Sequence, residues 1–341
     1  MFKEFLLKCL TGQSLTEQEA KTVMNEIMSG TVSSAQIGSL LTILTYRGET
    51  IEEITGFVRG MRENMIPLQT GLENVVDTCG TGGDGASTFN ISTASAIVAS
   101  AAGVKVAKHG NRAVSSKSGS ADVLEYLGID ITSTKQEVIE TLKQDGMAFL
   151  FAPMYHPAMK HAAIPRKELG FRTVFNALGP LANPSNCDKQ VIGVYSAELA
   201  EKLARTLQKL SSRHVLFVAG KDGLDEISVE TETDIVELRD GDIRSYTIKP
   251  EDFGLERGRV SDLVVETAKE SAHTIEQIFR DQAHESAKNA VILNAAAAIY
   301  VAGKAGSIAE GTHIARTVIE NGTAYRQLQK LRARKVMTQH A

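Results

Sequence analysis

The stretch DTCGTGGDGASTFNIST, residues 77–93, combines bare backbone, one carboxylate and a run of hydroxyls. Gly80, Gly82 and Gly85 have the G-x-G-x-x-G spacing of a dinucleotide-binding loop. That interpretation also requires a helix that opens at the last glycine and an acid at the end of the next strand. Neither is present, because the predicted helix begins near residues 90–93 and the next strand ends in the basic sequence KHGNR. A nucleotide triphosphate loop is also disfavoured, since no G-x-x-x-x-G-K-[ST] occurs.

The residues that follow these glycines favour an anion site. Asn90, Ser92 and Thr93 supply a capping oxygen and hydroxyl donors at the predicted helix start, beside free N–H groups and the positive end of the helix dipole. Asp84 would repel a bare phosphate, but a carboxylate can bind ribose hydroxyls or hold a water on a bridging metal ion. The simpler alternative is that the glycines only make a tight turn.

A second group of donors, KHGNRAVSSKSGSAD at residues 108–122, follows the next predicted strand. Lys108 and Arg112 are cationic. The neutral donors of this group are Asn111, Ser115, Ser116, Ser118 and Ser120. Open α/β sheets bind ligands at the carboxyl ends of their strands, so two such loops predict a ligand with two anionic ends. His109 is either an acid–base candidate or a histidine packed beside the strand.

The third predicted strand end carries acids, in KDGLDEIS at residues 221–228. In a loop, both Asp225 and Glu226 can turn to one cation. Mg²⁺ commonly binds one or two carboxylates together with substrate phosphates, so this pair fits a metal that arrives with a diphosphate. An acidic pair is more often solvated surface charge, and the two anion loops are what favour the metal interpretation.

A fourth segment, residues 154–184, is rich in proline and glycine and carries His156, His161, Lys160, Arg166, Lys167 and Arg172. An arginine matches a planar carboxylate bidentately, as a lysine does not, so one of these could fix an acidic substrate. Spacing alone does not select which one.

The predicted elements place these loops on an α/β scaffold. Short β-rich runs at residues 75–79, 104–108, 147–151, 191–196 and 214–220 alternate with helical runs, which predicts right-handed βαβ units and a mainly parallel sheet. Alternating runs around Asp240-Gly241 predict a hairpin at the sheet edge. Three capping boxes, beginning at Ser14, Ser33 and Thr50, predict short helices in residues 1–65.

We therefore predict a small all-helical domain, 1–65, and a large α/β domain, 66–341, with a helical hinge-like segment near 155–185. A length of 341 residues fits two domains. A net charge of -4 argues against a nucleic-acid surface. Cys9, Cys79 and Cys187 imply no disulfide framework, and no apolar stretch predicts a membrane span, so we expect a cytoplasmic protein.

Five motifs together resemble the anthranilate phosphoribosyltransferase family. They are GTGGD (80–84), NIST (90–93), KHGNR (108–112) with the following SS, DE (225–226) and RTVFNALGPLANP (172–184). The resemblance implies transfer of the phosphoribosyl group of 5-phosphoribosyl diphosphate to the amine of anthranilate in tryptophan biosynthesis, with Mg²⁺. It also implies the nucleoside phosphorylase and phosphoribosyltransferase fold and a homodimer formed through the helices.

The resemblance further assigns residues to each ligand. Those implied for 5-phosphoribosyl diphosphate are Gly80, Gly83, Asp84, Thr88, Asn90, Ile91, Ser92, Thr93, Lys108, His109, Gly110, Asn111, Arg112, Ala113, Val114, Ser115, Ser116 and Ser120. Those implied for Mg²⁺ are Ser92, Asp225 and Glu226. Anthranilate would contact Gly80, Asn111 and Arg166, with His156 beside it. Lys108, Arg166, Asp225 and Glu226 would carry the catalytic roles.

Two alternatives remain at this point. A pyrimidine nucleoside phosphorylase has a similar fold, but it needs no acidic pair for a diphosphate-bound metal, and its second loop should differ from KHGNR. A catalytically silent relative that binds nucleic acid would have eroded loops and a basic surface, whereas these loops are intact and the net charge is -4.

Overall fold

The computed structural model describes residues 1–113 and 118–338. Its first 65 residues are helical, as predicted. Four helices form this part: α1 (Phe2–Leu10), α2 (Glu17–Met28), α3 (Ser34–Arg47) and α4 (Ile51–Asn64). Helix α1 has no side-chain hydrogen bond at its N-cap, so the capping pattern that predicts the other three gives no signal for it.

Two of the three predicted capping boxes are confirmed, at Ser33 and at Thr50. The predicted box at Ser14 is wrong, because α2 is capped by Thr16, whose hydroxyl accepts a hydrogen bond from Glu19 N. The S/T-x-x-E spacing occurs twice here, two residues apart. The hydroxyl of Ser14 instead accepts a hydrogen bond from a guanidinium of α3.

Seven strands form one sheet in the described part of the chain. They are β1 (Val75–Gly80), β2 (Lys105–Gly110), β3 (Met147–Phe151), β4 (Lys189–Gly193), β5 (His214–Gly220), β6 (Thr233–Arg239) and β7 (Asp242–Ile248). Their order is β3-β2-β1-β4-β5-β6-β7. The first five are parallel and the last two antiparallel, so the predicted mainly parallel sheet is confirmed. The predicted hairpin is also confirmed, with Asp240 and Gly241 at φ 49 and 92°.

The strand order locates a ligand crevice. From β1 the chain first moves outward through β2 and β3, and β4 then returns to the other side of β1. This reversal is the topological switch point at which open α/β sheets bind ligands, beyond the carboxyl ends of the strands. The loops after β1, β2 and β5 all open at that edge.

Helices cover both faces of the sheet. They are α5 (Ile91–Ala101), α6 (Ser120–Tyr126), α7 (Lys135–Asp145), α8 (Ala152–Tyr155), α9 (Lys160–Leu169), α10 (Val174–Leu181), α11 (Ala197–Lys209), α12 (Ala268–Phe279), α13 (Glu285–Val301), α14 (Ile308–Glu320) and α15 (Thr323–Thr338). Three-residue or four-residue 3-10 helices lie at Pro157–Met159, Pro250–Phe253 and Val260–Leu263. Throughout the described ranges, every helix is too short or too polar to cross a lipid bilayer.

Two large cores and one small one pack against the sheet in the described part of the chain. The first is formed largely by α5, α12, α13 and α14, the second joins α1 to α4 with α10, α11 and the opposite face, and the small one lies between α7 and strands β1 to β3. The predicted fold class is thus confirmed, and the helical region packs on the larger one. The boundary between residues 65 and 66 and the hinge-like role of residues 155–185 remain predictions.

One buried carboxylate ties the helical region together. Glu53 has no exposed surface and receives hydrogen bonds from Arg47 at 2.6 and 2.7 Å and from Leu15 N at 2.8 Å. It also accepts from Thr50 N at 3.0 Å as part of its capping box. A buried charge that has an ionic partner and backbone donors is tolerated, whereas one that loses them is strongly destabilising.

Candidate active site

The glycine loop links β1 to α5. Gly82, Gly83 and Gly85 have φ values of 70, 81 and 75°, a backbone region that favours glycine. Helix α5 then begins at Ile91, with Asn90 as its N-cap, as predicted. The Asn90 Oδ1 accepts hydrogen bonds from Thr93 N at 3.0 Å and from the Ser92 hydroxyl at 3.2 Å. The loop therefore places glycine backbone beside the positive end of a helix.

Lys108 lies beneath this loop. The sequence predicts it as a donor in an irregular segment, but strand β2 continues to Gly110 and Lys108 is only 1% exposed. Its ammonium donates to Thr78 O at 2.6 Å and to the Ser92 hydroxyl at 3.1 Å. Burial lowers the pKa of Lys108, and the charge of Asp77 opposes that shift. Lys108 is thus a fixed cation between β1 and the start of α5.

Carboxylates converge on the other side of the glycine loop. The Asp225 Oδ2 accepts a hydrogen bond from Gly82 N at 2.8 Å. Burial, followed by the nearby charge of Asp84, raises the pKa of Asp225 to about 7. Burial and then the charge of Asp225 raise the pKa of Glu226 well above its usual range, although Lys108 opposes the shift. Repulsion among these acids is what a bound cation would relieve.

These carboxylates fit a hard divalent cation. The backbone of Ser92 also opposes the rise in the pKa of Glu226, which places the three residues predicted for Mg²⁺ near one another. Over residues 1–113 and 118–338, no group of three or more His, Cys, Asp or Glu side chains could hold a metal ion by itself. Other oxygen ligands would have to complete the coordination, as substrate phosphates do at many Mg²⁺ sites.

The segment after β2 is docked on helix α6. Arg112 pairs bidentately with Glu125, at 2.6 and 2.9 Å, and with Asp122 at 2.9 Å. Asp122 also accepts from Ala113 N, while Asn111 O accepts from the Ser120 hydroxyl at 3.3 Å. The cationic donor predicted at Arg112 is therefore already engaged by acids of α6. The predicted ligand residues Val114, Ser115 and Ser116 lie outside the described residues.

Two neutral histidines line the neighbouring part of the site. The ring centroids of His109 and His156 lie 5.2 Å apart. The pKa of His109 is lowered to about 3, mainly by burial and secondly by the charge of the nearby His156. Burial also lowers the pKa of His156. The Nε2 of His156 lies 2.9 Å from Ala182 O, which requires that nitrogen to carry the proton. Both rings are consequently uncharged at neutral pH.

Arg166 on α9 has no acidic partner in the described part of the chain. Its guanidinium lies over the Phe175 ring, 5.2 Å from the centroid. Burial lowers the pKa of Arg166. Arg172, the other arginine considered for this role, stacks at 4.6 Å on Tyr195 and lies against Gly83. Neither arginine has a carboxylate partner among the described residues, and of the two Arg166 is the partly buried one.

The sequence did not reveal the network behind His109. Asp77, with no exposed surface, accepts hydrogen bonds from His109 N at 3.1 Å and from Asn183 Nδ2 at 2.8 Å. The same Asn183 nitrogen donates to Ala107 O at 2.9 Å. Asp77 thereby joins strands β1 and β2 to Asn183, which lies in the segment 154–184 that also contains His156. The available signal was a charged residue within the apolar run VVDTC.

The architecture and the site define a class of transferases. Residues 3–65 match the helical bundle domain of a glycosyl transferase family, and residues 72–325 match the a/b domain of a glycosyl transferase family. The chain is 64% identical to the anthranilate phosphoribosyltransferase of Priestia megaterium over the full length of both, and 59% identical to that of Geobacillus kaustophilus over 99% of both. The chain belongs to the anthranilate phosphoribosyltransferase family.

Solved structures agree with this assignment. The anthranilate phosphoribosyltransferase of Thermus thermophilus superposes with a TM-score of 0.91 at 42% identity, over 97% of this chain and 98% of that one. The Saccharomyces cerevisiae enzyme in complex with PRPP and Mg gives 0.89 at 29% identity, over 98% of both chains. These findings support the transferase and not the nucleoside phosphorylase or the nucleic-acid-binding alternative.

Proposed function

We propose that the chain transfers the phosphoribosyl group of 5-phosphoribosyl diphosphate to the amine of anthranilate. The products are N-(5-phosphoribosyl)anthranilate and diphosphate, within tryptophan biosynthesis. The observation that carries the proposal is a glycine loop at a helix N-terminus that lies directly against a repelling acidic pair, and a partly buried arginine without a carboxylate partner in the described residues supports it. A diphosphate, a divalent cation and an acceptor carboxylate would satisfy these three features in turn.

The glycine loop and the start of α5 would bind the diphosphate substrate. Backbone N–H groups and the Ser92 and Thr93 region would hold anionic oxygens, and Lys108 would contribute a positive charge that is already fixed by two hydrogen bonds. The full proposed set is Gly80, Gly83, Asp84, Thr88, Asn90, Ile91, Ser92, Thr93, Lys108, His109, Gly110, Asn111, Arg112, Ala113, Val114, Ser115, Ser116 and Ser120. Donors fixed before the reaction stabilise charge on the departing oxygens without reorganisation.

Ser92, Asp225 and Glu226 would hold Mg²⁺. When bound, the cation neutralises charge on the diphosphate as it leaves. The chain contributes the carboxylates, the orientation of Asp225 through the Gly82 N–H, and a cation, Lys108, whose charge opposes the rise in the pKa of Glu226. The raised pKa values of both acids are the expected signature of a site that is completed by a cation.

Arg166 would bind the carboxylate of anthranilate as a bidentate clamp. Gly80 and Asn111 would complete this side, and the uncharged rings of His109 and His156 would present apolar surface to the aromatic acceptor. Holding the amine in line with the reacting carbon accounts for rate by positioning. An aryl amine loses its proton readily once it is bonded to carbon, and a His109 with a pKa of about 3 is a poor base, so no obligatory general base is proposed.

We also propose a homodimer formed through the helical region. Leu7 and Leu10 on α1 are 60 and 67% exposed, and Tyr46 on α3 is 94% exposed. Exposed apolar side chains that gather on one small helical region are typical of an interaction surface. Sedimentation at micromolar protein concentration would test this, since a monomer there would contradict it.

Anthranilate fluorescence provides the direct test of activity. Purified protein with 5-phosphoribosyl diphosphate and Mg²⁺ should consume the fluorescence of anthranilate, and a chelator should stop the loss. The double variant Asp225→Asn with Glu226→Gln should remain folded and lose turnover. Anthranilate fluorescence that persists at a high concentration of the folded wild-type protein would overturn the proposed function.

A further inference from the structure

Asn294 is a buried amide on α13, a helix that is otherwise mostly apolar along its central turns. It is 2% exposed, and its side chain bridges to the acidic loop. Its Oδ1 accepts a hydrogen bond from Ile227 N at 2.9 Å, and its Nδ2 donates to Ile227 O at 3.1 Å and to Ala290 O at 2.9 Å. Both peptide groups that flank Ile227 are therefore held by one side chain.

Ile227, whose backbone is hydrogen-bonded to the Asn294 side chain, directly follows the acidic pair Asp225 and Glu226. Ile227 N belongs to the peptide bond that links it to Glu226, so its orientation is coupled to the direction of the Glu226 side chain. The pair is confined from the opposite side as well. A Cβ on Gly193 would lie 1.6 Å from the carbonyl oxygen of Asp225, so β4 packs directly on the backbone of this loop.

The rest of this loop is irregular and is held by its own hydrogen bonds on either side of the acids, such as those from Leu224 N to Asp222 and from the Ser228 hydroxyl to Asp222. Strand β5 ends at Gly220, and residues 221–232 return to β6 without strand pairing. Within it, Leu224 and Ile227 are each 2% exposed and anchor the segment in the core on either side of the acids. The buried side chains of Leu224 and Ile227 fix how deeply the loop lies in the core. The hydrogen bonds from Asn294 to Ile227 N and O fix how the peptide groups on either side of Ile227 are rotated.

We propose that Asn294 is a positioning residue, which aims the Asp225 and Glu226 carboxylates at the divalent cation. This inference rests on the proposed function, since it concerns the same metal site. A polar side chain in a packed helix contributes little net stability when its hydrogen bonds are satisfied, and its benefit here is a defined orientation of the loop. Residues that orient metal ligands in this way affect affinity nearly as much as some ligands do.

Two variants separate geometry from packing. Asn294→Ala removes all three hydrogen bonds. Asn294→Asp keeps the shape and the acceptor for Ile227 N, but it brings a carboxylate against Ile227 O and Ala290 O, where the amide donated. Asn289→Ala is the matched control, because Asn289 lies on the same helix, is 7% exposed and makes one long contact, 3.4 Å, to Glu256 O.

Mn²⁺ binding in the presence of inorganic diphosphate is the main readout, with free Mn²⁺ followed by electron paramagnetic resonance. Both Asn294 variants should bind Mn²⁺ roughly tenfold more weakly or worse, and their Mg²⁺ requirement for turnover should rise by a similar factor. The KM for anthranilate should change less than about twofold, since Arg166 is untouched. Asn289→Ala should leave the Mn²⁺ titration unchanged.

The outcomes are distinct. If a folded Asn294→Asp protein binds Mn²⁺ like the wild type, Asn294 does not position the acids and the inference is overturned. The same conclusion follows if the Asn294 and Asn289 variants lose metal affinity equally, because the effect would then be one of general packing. A wild-type protein that binds Mn²⁺ with diphosphate but leaves anthranilate unchanged would contradict the proposed function alone.

Discussion

Replacement of Arg166 by alanine should separate binding of the acceptor from folding. In the free protein its guanidinium makes a cation–π contact with Phe175, and within the described ranges it has no carboxylate partner. That contact contributes about 0.5–1 kcal/mol, and its loss is offset by removal of a partly buried, unpaired charge. The free energy of unfolding should therefore change by less than about 1 kcal/mol.

Binding of anthranilate should change far more. A charge-assisted hydrogen-bonded pair between guanidinium and carboxylate contributes about 3 kcal/mol, which corresponds to roughly 100-fold in the KM for anthranilate. Arg166→Lys should lie between the wild type and the alanine variant, because it keeps the charge and loses the planar fork. The KM for 5-phosphoribosyl diphosphate should stay within about threefold, as the donor site lies on other loops.

Steady-state kinetics with each substrate varied in turn, together with urea unfolding, measures both quantities. Lys167→Ala is the matched control, since Lys167 is the next residue of the same helix and is exposed. Equal increases in both KM values would show that Arg166 acts on the whole crevice. A loss of more than about 2 kcal/mol in stability would show that its role is structural.

Two further predictions concern buried titratable groups. Glu53→Ala should lower the free energy of unfolding, measured in urea, by about 3 kcal/mol, because it leaves Arg47 and the Leu15 N–H without their acceptor. The control Glu52→Ala, on the exposed face of the same helix, should lower it by under about 1 kcal/mol. Equal losses in the two variants would contradict this prediction. For His109, the unfolded chain takes up a proton near pH 6.5 and the folded chain only near pH 3, so the contribution of His109 to stability should fall as the pH is lowered from about 6.5 toward 3, whereas the raised pKa of Asp225 contributes in the opposite sense. His109→Asn should flatten that fall, and an unchanged pH dependence of unfolding would show that other groups cause it.

Much of the fold could be predicted because its signals are local. Alternation of strand and helix patterns, the turn at Asp240-Gly241 and two capping boxes each depend on neighbouring residues, and all are confirmed. Local signals also have limits. The two overlapping box patterns near Ser14 differ only in their tertiary contacts, so sequence spacing could not choose between them.

The sequence predicted which loops carry the candidate site residues, but it did not predict which residues their side chains contact in the folded protein. The sequence indicated that Lys108 and Arg112 are donors, yet one is buried beneath the glycine loop and the other is paired with α6. Asp77 and Asn294 act through residues that are distant in the chain, Asn183 and Ile227 respectively. Such pairings depend on how strands and helices are arranged in space, which periodicity does not encode.

The second core has a consequence for how substrate choice can change. The ring of Phe175, over which the Arg166 guanidinium lies, belongs to the core that α1 to α4 share with α10. Arg62 of α4 also donates a hydrogen bond to Leu181 O of α10, at 2.9 Å. The glycine loop and the acidic pair are instead supported by the sheet edge and α13. In the proposed site, the arginine that would bind the acceptor carboxylate and the loops that would bind the donor are thus supported by different layers of the protein. We therefore expect substitutions in the helical layer to alter binding of the aromatic acceptor more than binding of the sugar diphosphate.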